Sequence, residues 1–374
     1  MYPHEYDMLE RLWFPVARES DVDDAPWATS FLGHRLVLFR SECGLTAARD
    51  QCPHRGARLS LGQIRDGNLE CPYHGWRFGH DGSCVLVPSQ PSAHPMASLQ
   101  TLPVRAAYGL VWVCLREPWL PMPSIPELAD DPRDDWKIGY GTPFDVRCGL
   151  RSITENFRDS SHFAFVHKKA FGDVTPLIPR YEVRRDGWTL AWEFVLRYAQ
   201  EWQADEGAAA GSRYRFGGTD VDQADPSVAM EQLIHYRFSA ISVSYVYTEH
   251  PHGGRRIVCQ APAPIAADGT QCRVFFFVAA NRAFREHYSD VATQVELESS
   301  IFAEDGPIVE SLDPTEAPLE LDSQAHVRAD RYAVAYRRLY RDLLDEFAAA
   351  QPAVPAEAAM LVTVADGGPR RPAI

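Results

Sequence analysis

Short apolar runs broken by glycine turns dominate the first third of the chain. Arg35–Arg40 (RLVLFR), Cys84–Val87 and Tyr108–Leu115 carry the strand pattern, and turns at Arg65–Asn68 (RDGN) and His80–Ser83 (HDGS) separate such runs. This pattern predicts a small all-β domain over residues 1–120. The proline-rich stretch Glu117–Pro132 suits a domain boundary. Beyond it, over 121–374, the pattern turns to mixed α+β. Trp188–Tyr198, Phe238–Tyr247, Arg256–Gln260 and Arg273–Ala280 read as strands of a large antiparallel sheet. Glu296–Asp305 and Ala329–Phe347 read as helices. In the second, Tyr332, Tyr336, Leu339, Tyr340, Leu343 and Phe347 fall on one stripe at helical spacing, which assigns them to core packing. The polar, Gly/Ala-rich stretch 199–232 reads as an excursion or lid. The tail from Ala348, with four prolines and a Gly-Gly pair, reads as loose.

Length and charge narrow the possibilities. A chain of 374 residues is too long for one ordinary core and suits two domains. A formal net charge of −14 argues against nucleic acid or an anionic membrane surface as partner, because phosphate binding needs clustered Lys and Arg. An acidic surface still suits docking to a basic patch on a redox partner. The longest apolar runs, Tyr108–Leu115 and Val274–Ala280, are far short of the roughly 20 residues a membrane span needs. The N-terminus has no basic start followed by an apolar stretch, so the expected location is the cytoplasm. There a framework of disulfides among the eight cysteines is not expected.

Two of those cysteines stand apart. Cys52-Pro53-His54 is followed, after sixteen intervening residues, by Cys71-Pro72-Tyr73-His74. Two thiolates and two imidazoles can hold one tetrahedral zinc. They can also hold a [2Fe–2S] cluster in which one iron takes both Cys and the other both His. A Cys-x-His pair sends its side chains to different places on a loop, which favours two irons. The nearby glycines let backbone N–H groups approach sulfide, and Trp76 is placed to shield the cluster from water.

A second group lies in Ser152–His167 (SITENFRDSSHFAFVH). On a regular helix Asp159 and His162 share a face, whereas His162 and His167 point roughly 140° apart. Both histidines can bind one metal only if the helix breaks or bends. Two His and one carboxylate form the facial triad of non-haem Fe(II) oxygenases, with positions left open for O₂. The carboxylate has to come from far downstream, and Phe302–Glu310 (FAEDGPIVE) offers Asp305 or Glu304, with Asp313 more remote.

CPHRGARLS followed by CPYHGWRF resembles the motif of the Rieske non-haem iron ring-hydroxylating oxygenases, and the segment 152–167 resembles their mononuclear iron motif. The resemblance implies a Rieske [2Fe–2S] domain followed by a helix-grip, START-like catalytic domain. It assigns Cys52, His54, Cys71 and His74 to the cluster and His162, His167 and Asp305 to a mononuclear Fe(II). Asp159 becomes the carboxylate that links His162 to His74 of a neighbouring subunit in a head-to-tail homotrimer. The expected activity is insertion of oxygen from O₂ into a small aromatic or other apolar substrate. Electrons come from NAD(P)H through a separate ferredoxin or flavin reductase. Many ring dioxygenases place Asn four residues before the bridging Asp; Glu155 stands there, and Asn156 is displaced by one. That departure is nearer to the single-subunit-type demethylases and monooxygenases. Phe163, Phe165, Phe171, Trp192, Phe194, Tyr245, Tyr247, Phe275 and Phe277 are candidate pocket walls, with ordinary core packing as the alternative for each, so none is assigned to the site. A zinc-bearing START-like binding protein, an electron-transfer protein and an oxidative cyclase or desaturase are the competing functions.

Overall fold

The computed structural model describes residues 1–94, 96–129, 135–171, 176–197, 231–239, 241, 243–250 and 253–350. The stretch read as a lid lies outside them except for its last two positions, as does the tail beyond 350. Among the described residues the strands form four antiparallel sheets. Three belong to the first third. They use β1 (Phe14–Arg18), β2 (Trp27–Phe31), β3 (His34–Ser41), β4 (Gly44–Arg49), β5 (Gln63–Arg65), β6 (Asn68–Glu70), β7 (Arg77–Phe78), β8 (Cys84–Leu86), β9 (Thr101–Leu102), β10 (Val104–Ala107) and β11 (Leu110–Val113). Their orders are β1-β11-β10, β2-β3-β4-β9 and β5-β6-β7-β8. The β5–β6 turn falls where RDGN predicts it. Asp66 and Gly67 both take positive φ, 52° and 71°, as a tight hairpin demands.

The fourth sheet has eight strands: β12 (Lys137–Tyr140), β13 (Phe144–Val146), β14 (Arg184–Asp186), β15 (Thr189–Arg197), β16 (Glu231–Ser239), β17 (Val243–Glu249), β18 (Arg255–Pro264) and β19 (Cys272–Ala280). Its order is β12-β19-β18-β17-β16-β15-β14, with β13 also paired to β19. The helices are α1 (Glu5–Leu9), α2 (Pro126–Ala129), α3 (Leu150–Asn156), α4 (Phe163–Val166), α5 (Lys168–Phe171), α6 (Arg282–His287), α7 (Val291–Val309) and α8 (Arg331–Ala350). The sheet curls against α7, which packs on β12 and β19, and α8 closes the far side against α1 and α3. This is the α+β, helix-grip arrangement expected from the sequence. No helix among the described residues is long and apolar enough to cross a membrane.

Two elements differ from the sequence pattern. The run Phe238–Tyr247 is not one strand; it splits into the ends of β16 and β17 around a turn at Ile241, whose φ is +70°. A β-branched residue in that region is rare, so nothing local announces the turn. Helix α7 is nearly twice the predicted length. Asp290 caps it, accepting from Thr293 N at 2.8 Å. Its buried face holds Gln294, Glu298 and Asp305 beside Ile301, Phe302 and Val309, so an apolar periodicity underestimates it.

The α8 stripe is buried throughout, as predicted. It also meets a charge. Arg151 of α3 is buried and ion-paired to Glu5 of α1 and, at 3.0 Å, to Glu316. Its Nε donates to Ala317 O at 2.7 Å, and its guanidinium lies over the Tyr340 ring at 4.9 Å. Glu5 in turn accepts from Tyr340 Oη at 2.7 Å. One guanidinium therefore ties the first helix, the last helix and α3 together. Removing it strands the buried carboxylate of Glu5 and the half-buried one of Glu316. Arg151→Met is expected to lower the denaturant midpoint by the equivalent of about 3–5 kcal/mol; a loss below about 1 kcal/mol refutes this role for Arg151.

His250, just after β17, packs on Phe284 of α6 and on Tyr288 just beyond it, and hydrogen-bonds Thr248 Oγ1 at 2.9 Å. Burial, helped by Arg256, holds its imidazole down at about 3. In the unfolded chain it titrates near about 6.5. Between those values the unfolded chain takes up a proton that the folded chain refuses, so stability falls as pH drops from about 6.5 towards 3. His250→Gln is expected to flatten that fall in urea midpoints measured between about pH 7 and pH 5; an unaltered slope assigns the acid sensitivity elsewhere.

Candidate metal centres

The first third of the chain presents two loops built alike. In one, Cys52 N donates to Ala57 O and Gly56 N to Cys52 O, both at 2.8 Å. In the other, Cys71 N donates to Trp76 O at 2.8 Å and Gly75 N to Cys71 O at 3.1 Å. Gly56 and Gly75 take φ of +76° and +69°, which lets each chain reverse so tightly. The loops bring Cys52 beside Cys71. They bring His54 beside His74, ring centroids 4.7 Å apart. Trp76 stacks on His54 at 4.4 Å and 7° between planes.

These four residues fit a sulfur-bridged iron pair. His54 Nδ1 is buried with no hydrogen-bond partner, so a ligand-donating nitrogen is available. The backbone N–H groups of His54 and Arg55 favour a thiolate at Cys52. Without a metal, burial and then the neighbouring Cys71 push the Cys52 thiol up to about 11. No three of the four bring their ligand atoms within 4.8 Å of one another, as one tetrahedral ion requires. Thiols pair with thiols and imidazoles with imidazoles, which suits two metal ions.

The second centre forms where α3 stops. The helix ends at Asn156, and Asp159 to Ser161 form a turn: Asp159 Oδ1 accepts from Ser161 N at 2.8 Å and from Ser161 Oγ at 2.6 Å. Asp159 and His162 thus meet through a turn, not along a helix face as the spacing suggested. His162 then precedes the single turn of α4 and His167 follows it, with φ −101° and ψ 29° outside helical values. That departure is the bend the two histidines needed.

Among the described residues, His162, His167 and Asp305 are the one group of three whose ligand atoms converge in this way. The two Nε2 atoms are 3.0 Å apart, and Asp305 Oδ1 lies 3.4 Å from His162 Nε2 and 3.2 Å from His167 Nε2. Ligands about 2.1 Å from a common ion at angles near 90–110° stand roughly this far apart. The other ring nitrogens fix the tautomers. His162 Nδ1 donates to Asp159 Oδ2 and His167 Nδ1 to Glu304 Oε2, each at 3.1 Å, leaving both Nε2 lone pairs aimed inward. Glu304 therefore stands behind His167 and not at the convergence, and Asp313 lines a neighbouring cavity. Asn156 Nδ2 donates to Asp305 Oδ1 at 3.2 Å.

The group is poised for a cation. Burial alone opposes charge on His162, but Asp159 and Asp305 outweigh it and raise the imidazole to about 9. Burial raises Asp159 and Asp305 in turn, yet their histidine partners, with Ser161 beside Asp159, hold both below their ordinary values.

A cavity adjoins the three residues between the sheet and α7. Of the nine aromatics proposed as its walls, Phe163 lines it. Phe165 is 73% exposed, Tyr245, Tyr247, Phe275 and Phe277 pack on the opposite face of the sheet, and Trp192 stacks on Tyr332. The side chains of Phe171 and Phe194 lie outside the described residues. The walls come instead from Val246, Val258, Leu297, Ile301 and Phe302. Strand alternation explains the miss. A long strand offers aromatics to both faces, and its sequence does not say which face meets the helix.

Residues 12–103 match the family model described as the Rieske [2Fe–2S] domain, and residues 146–346 match the vanillate O-demethylase oxygenase C-terminal domain. The methylxanthine N1-demethylase NdmA of Pseudomonas putida is 28% identical over 91% of this chain and 90% of its own. The vanillate O-demethylase oxygenase subunit of a Pseudomonas species is 32% identical over 46% of this chain and 49% of its own. The solved structure of NdmA with caffeine superimposes with a TM-score of 0.73 at 24% identity, covering 92% of this chain and 93% of that one. Dicamba monooxygenase bound to dicamba gives 0.68 at 21% identity, over 91% and 99%. The chain belongs to the Rieske oxygenases, with a Rieske [2Fe–2S] domain followed by a catalytic domain of the vanillate O-demethylase oxygenase type.

Proposed function

We propose that this oxygenase removes a methyl group from, or hydroxylates, a small aromatic substrate. In this reading Cys52, His54, Cys71 and His74 hold the [2Fe–2S] cluster, and His162, His167 and Asp305 hold the mononuclear iron. The observation that carries it is the convergence of two Nε2 atoms and one carboxylate oxygen within 3.0–3.4 Å beside a mainly apolar cavity. The names of the relatives, which describe N- and O-demethylases, favour demethylation.

When bound, the cluster would relay electrons and the mononuclear iron would activate O₂ for insertion of oxygen into a C–H bond. The protein supplies the rest. Asp159 and Glu304 keep both histidines in the ligating tautomer, and Asn156 keeps Asp305 turned towards them. The apolar walls hold a ring near the metal group and keep water out. A methyl group on oxygen or nitrogen, once hydroxylated, leaves as formaldehyde when the hydroxymethyl product collapses and the proton returns to the heteroatom.

Electrons reach the cluster from NAD(P)H through a partner reductase or ferredoxin, in the cytoplasm. The reading divides the chain into a cluster-bearing unit over 1–120 and a catalytic unit over 121–374. We further infer a head-to-tail homotrimer in which Asp159 bridges His162 to His74 of a neighbouring subunit. Two observations support it. His74 is exposed, and the Asp159 side chain is 37% exposed although it already holds His162.

Asp305→Ala is expected to lose the mononuclear iron and to lower product formation by roughly a hundredfold or more. The visible spectrum of the cluster should be unchanged in that variant. Retained iron and activity would remove Asp305 from the ligand set. Asp159→Asn is expected to keep both metals and slow re-oxidation of the reduced cluster during turnover by about 10–100-fold; an unchanged rate removes Asp159 from the electron path.

A further inference from the structure

A second cavity, of about 310 Å³, adjoins the metal group. Its walls come from the end of α3, the chain over 308–317 and the start of α8. Asn156, Arg158 and His162 line both cavities, so these three side chains form the partition between them. Asp159 lines the second and not the first.

Buried polar atoms stand in these walls without protein partners. Arg337 of α8 gives Nε and Nη2 to Glu155, at 2.6 and 2.7 Å, and its Nη1 has no hydrogen-bond partner among the described residues. Tyr332, five residues earlier, stacks its ring on Trp192, and its Oη has none either. Both residues are more than nine-tenths buried, and both line the cavity. Asn156 gives Nδ2 to Asp305, while its Oδ1 is buried and unpartnered among the described residues.

A buried donor or acceptor without a partner costs stability, so protein interiors pair such atoms with other groups or with water. A buried water needs about 10–15 Å³ of free space and two to four polar partners. This cavity has room for several waters. It presents a donor at Arg337, an acceptor at Asn156 and a hydroxyl at Tyr332 that does either. Its lining reaches the exposed residues Asp313 and Gln324, so it communicates with solvent. An anion fits these walls poorly, because Glu155 already balances Arg337 and three further carboxylates, Asp159, Asp313 and Asp330, stand beside it.

Resting on the reading of His162, His167 and Asp305 as the place where O₂ is reduced, we propose that this cavity is a water-filled antechamber. It conducts protons from solvent to the partition, and Arg337, Tyr332 and Asn156 hold its waters in line. The reaction consumes those protons. R–CH₃, O₂, two electrons and two protons give R–CH₂OH and H₂O. The O–O bond breaks, one oxygen enters the C–H bond, and the other leaves as water with the two protons. The electrons come from NAD(P)H through the partner reductase, and the protons come from solvent. Protons thus arrive from the side on which Asp159 stands, away from the apolar walls that hold the substrate ring. Arg337, Tyr332 and Asn156 are positioning residues, and water carries the proton.

The test is re-oxidation in a single turnover. Protein loaded at both metal centres is reduced, freed of reductant and mixed with O₂ and methoxybenzene in H₂O or D₂O, while the cluster absorbance is followed. Two electrons passed to O₂ take up two protons whether the oxygen ends in product or in H₂O₂, so the readout does not depend on how well the probe reacts. Ala333→Leu fills the antechamber from α8, and Tyr332→Phe removes the hydroxyl while keeping the ring on Trp192. Both variants are expected to keep their iron and cluster spectrum, to re-oxidise several-fold more slowly than the wild type, and to show a larger solvent deuterium isotope effect. A merely structural disturbance slows the reaction without raising the isotope effect. That result, or unchanged rates, overturns the proposal. So does a crystal structure of the loaded protein with no ordered water on Arg337 Nη1 and Tyr332 Oη. Asp305→Ala separates the underlying reading from the proposal. If it re-oxidises as fast as the wild type, O₂ is not reduced at that group, and the proposal falls with the reading.

Discussion

Two imidazole nitrogens aimed at one another 3.0 Å apart are the constraint around which the catalytic half is arranged. Lone pairs repel at that distance unless a cation stands between them or one nitrogen carries a proton. The protein holds them there through carboxylates placed outside, Asp159 behind His162 and Glu304 behind His167. The local chain follows from that requirement. A continuous helix from Leu150 would turn the two histidines apart, so α3 stops at Asn156 and a turn and one isolated helical turn follow. Helix α7 then has to present a buried carboxylate, and its covered face is polar where most are apolar.

Those polar positions have to be supported. Asp305 is steadied by Asn156, Glu298 by Arg256, and the turn leading to His162 by Arg158 on Ser244 and Gln260. Along β17 and β18 the face towards α7 therefore carries Ser244, Thr248, Arg256 and Gln260 on either side of the Val246–Val258 pair. The Arg151 network does similar work further out, tying α3 to α1 and α8 ahead of the break after Asn156. The cluster-bearing unit solves its own version of the problem with two glycine-assisted loops of matching hydrogen bonds.

Much of this was legible in the sequence because metal chemistry is local. Cys52-x-His54 and Cys71-x-x-His74 each lie on one loop, and the need for a bend between His162 and His167 follows from helical geometry alone. The buried stripe of α8 follows from apolar spacing. Less was legible where partners meet across the fold. Glu304 and Asp305 are neighbours on one helix, and only the three-dimensional path of α4 shows that Glu304 orients His167 while Asp305 joins the convergence. The cavity walls were misjudged because β17 and β19 carry aromatics on the face away from α7. Arg158, Arg256 and Glu298 left no signal, since a charge on a strand or helix ordinarily reads as solvent-facing. The turn at Ile241 was hidden for the opposite reason, an apolar residue doing what glycine or asparagine usually does.

The most direct test of the two-centre account is an iron count on anaerobically purified protein combined with electron paramagnetic resonance after dithionite reduction. The account predicts about three irons per chain and a rhombic signal from a mixed Cys/His [2Fe–2S] cluster. Zinc in place of iron, with no signal after reduction, would contradict it.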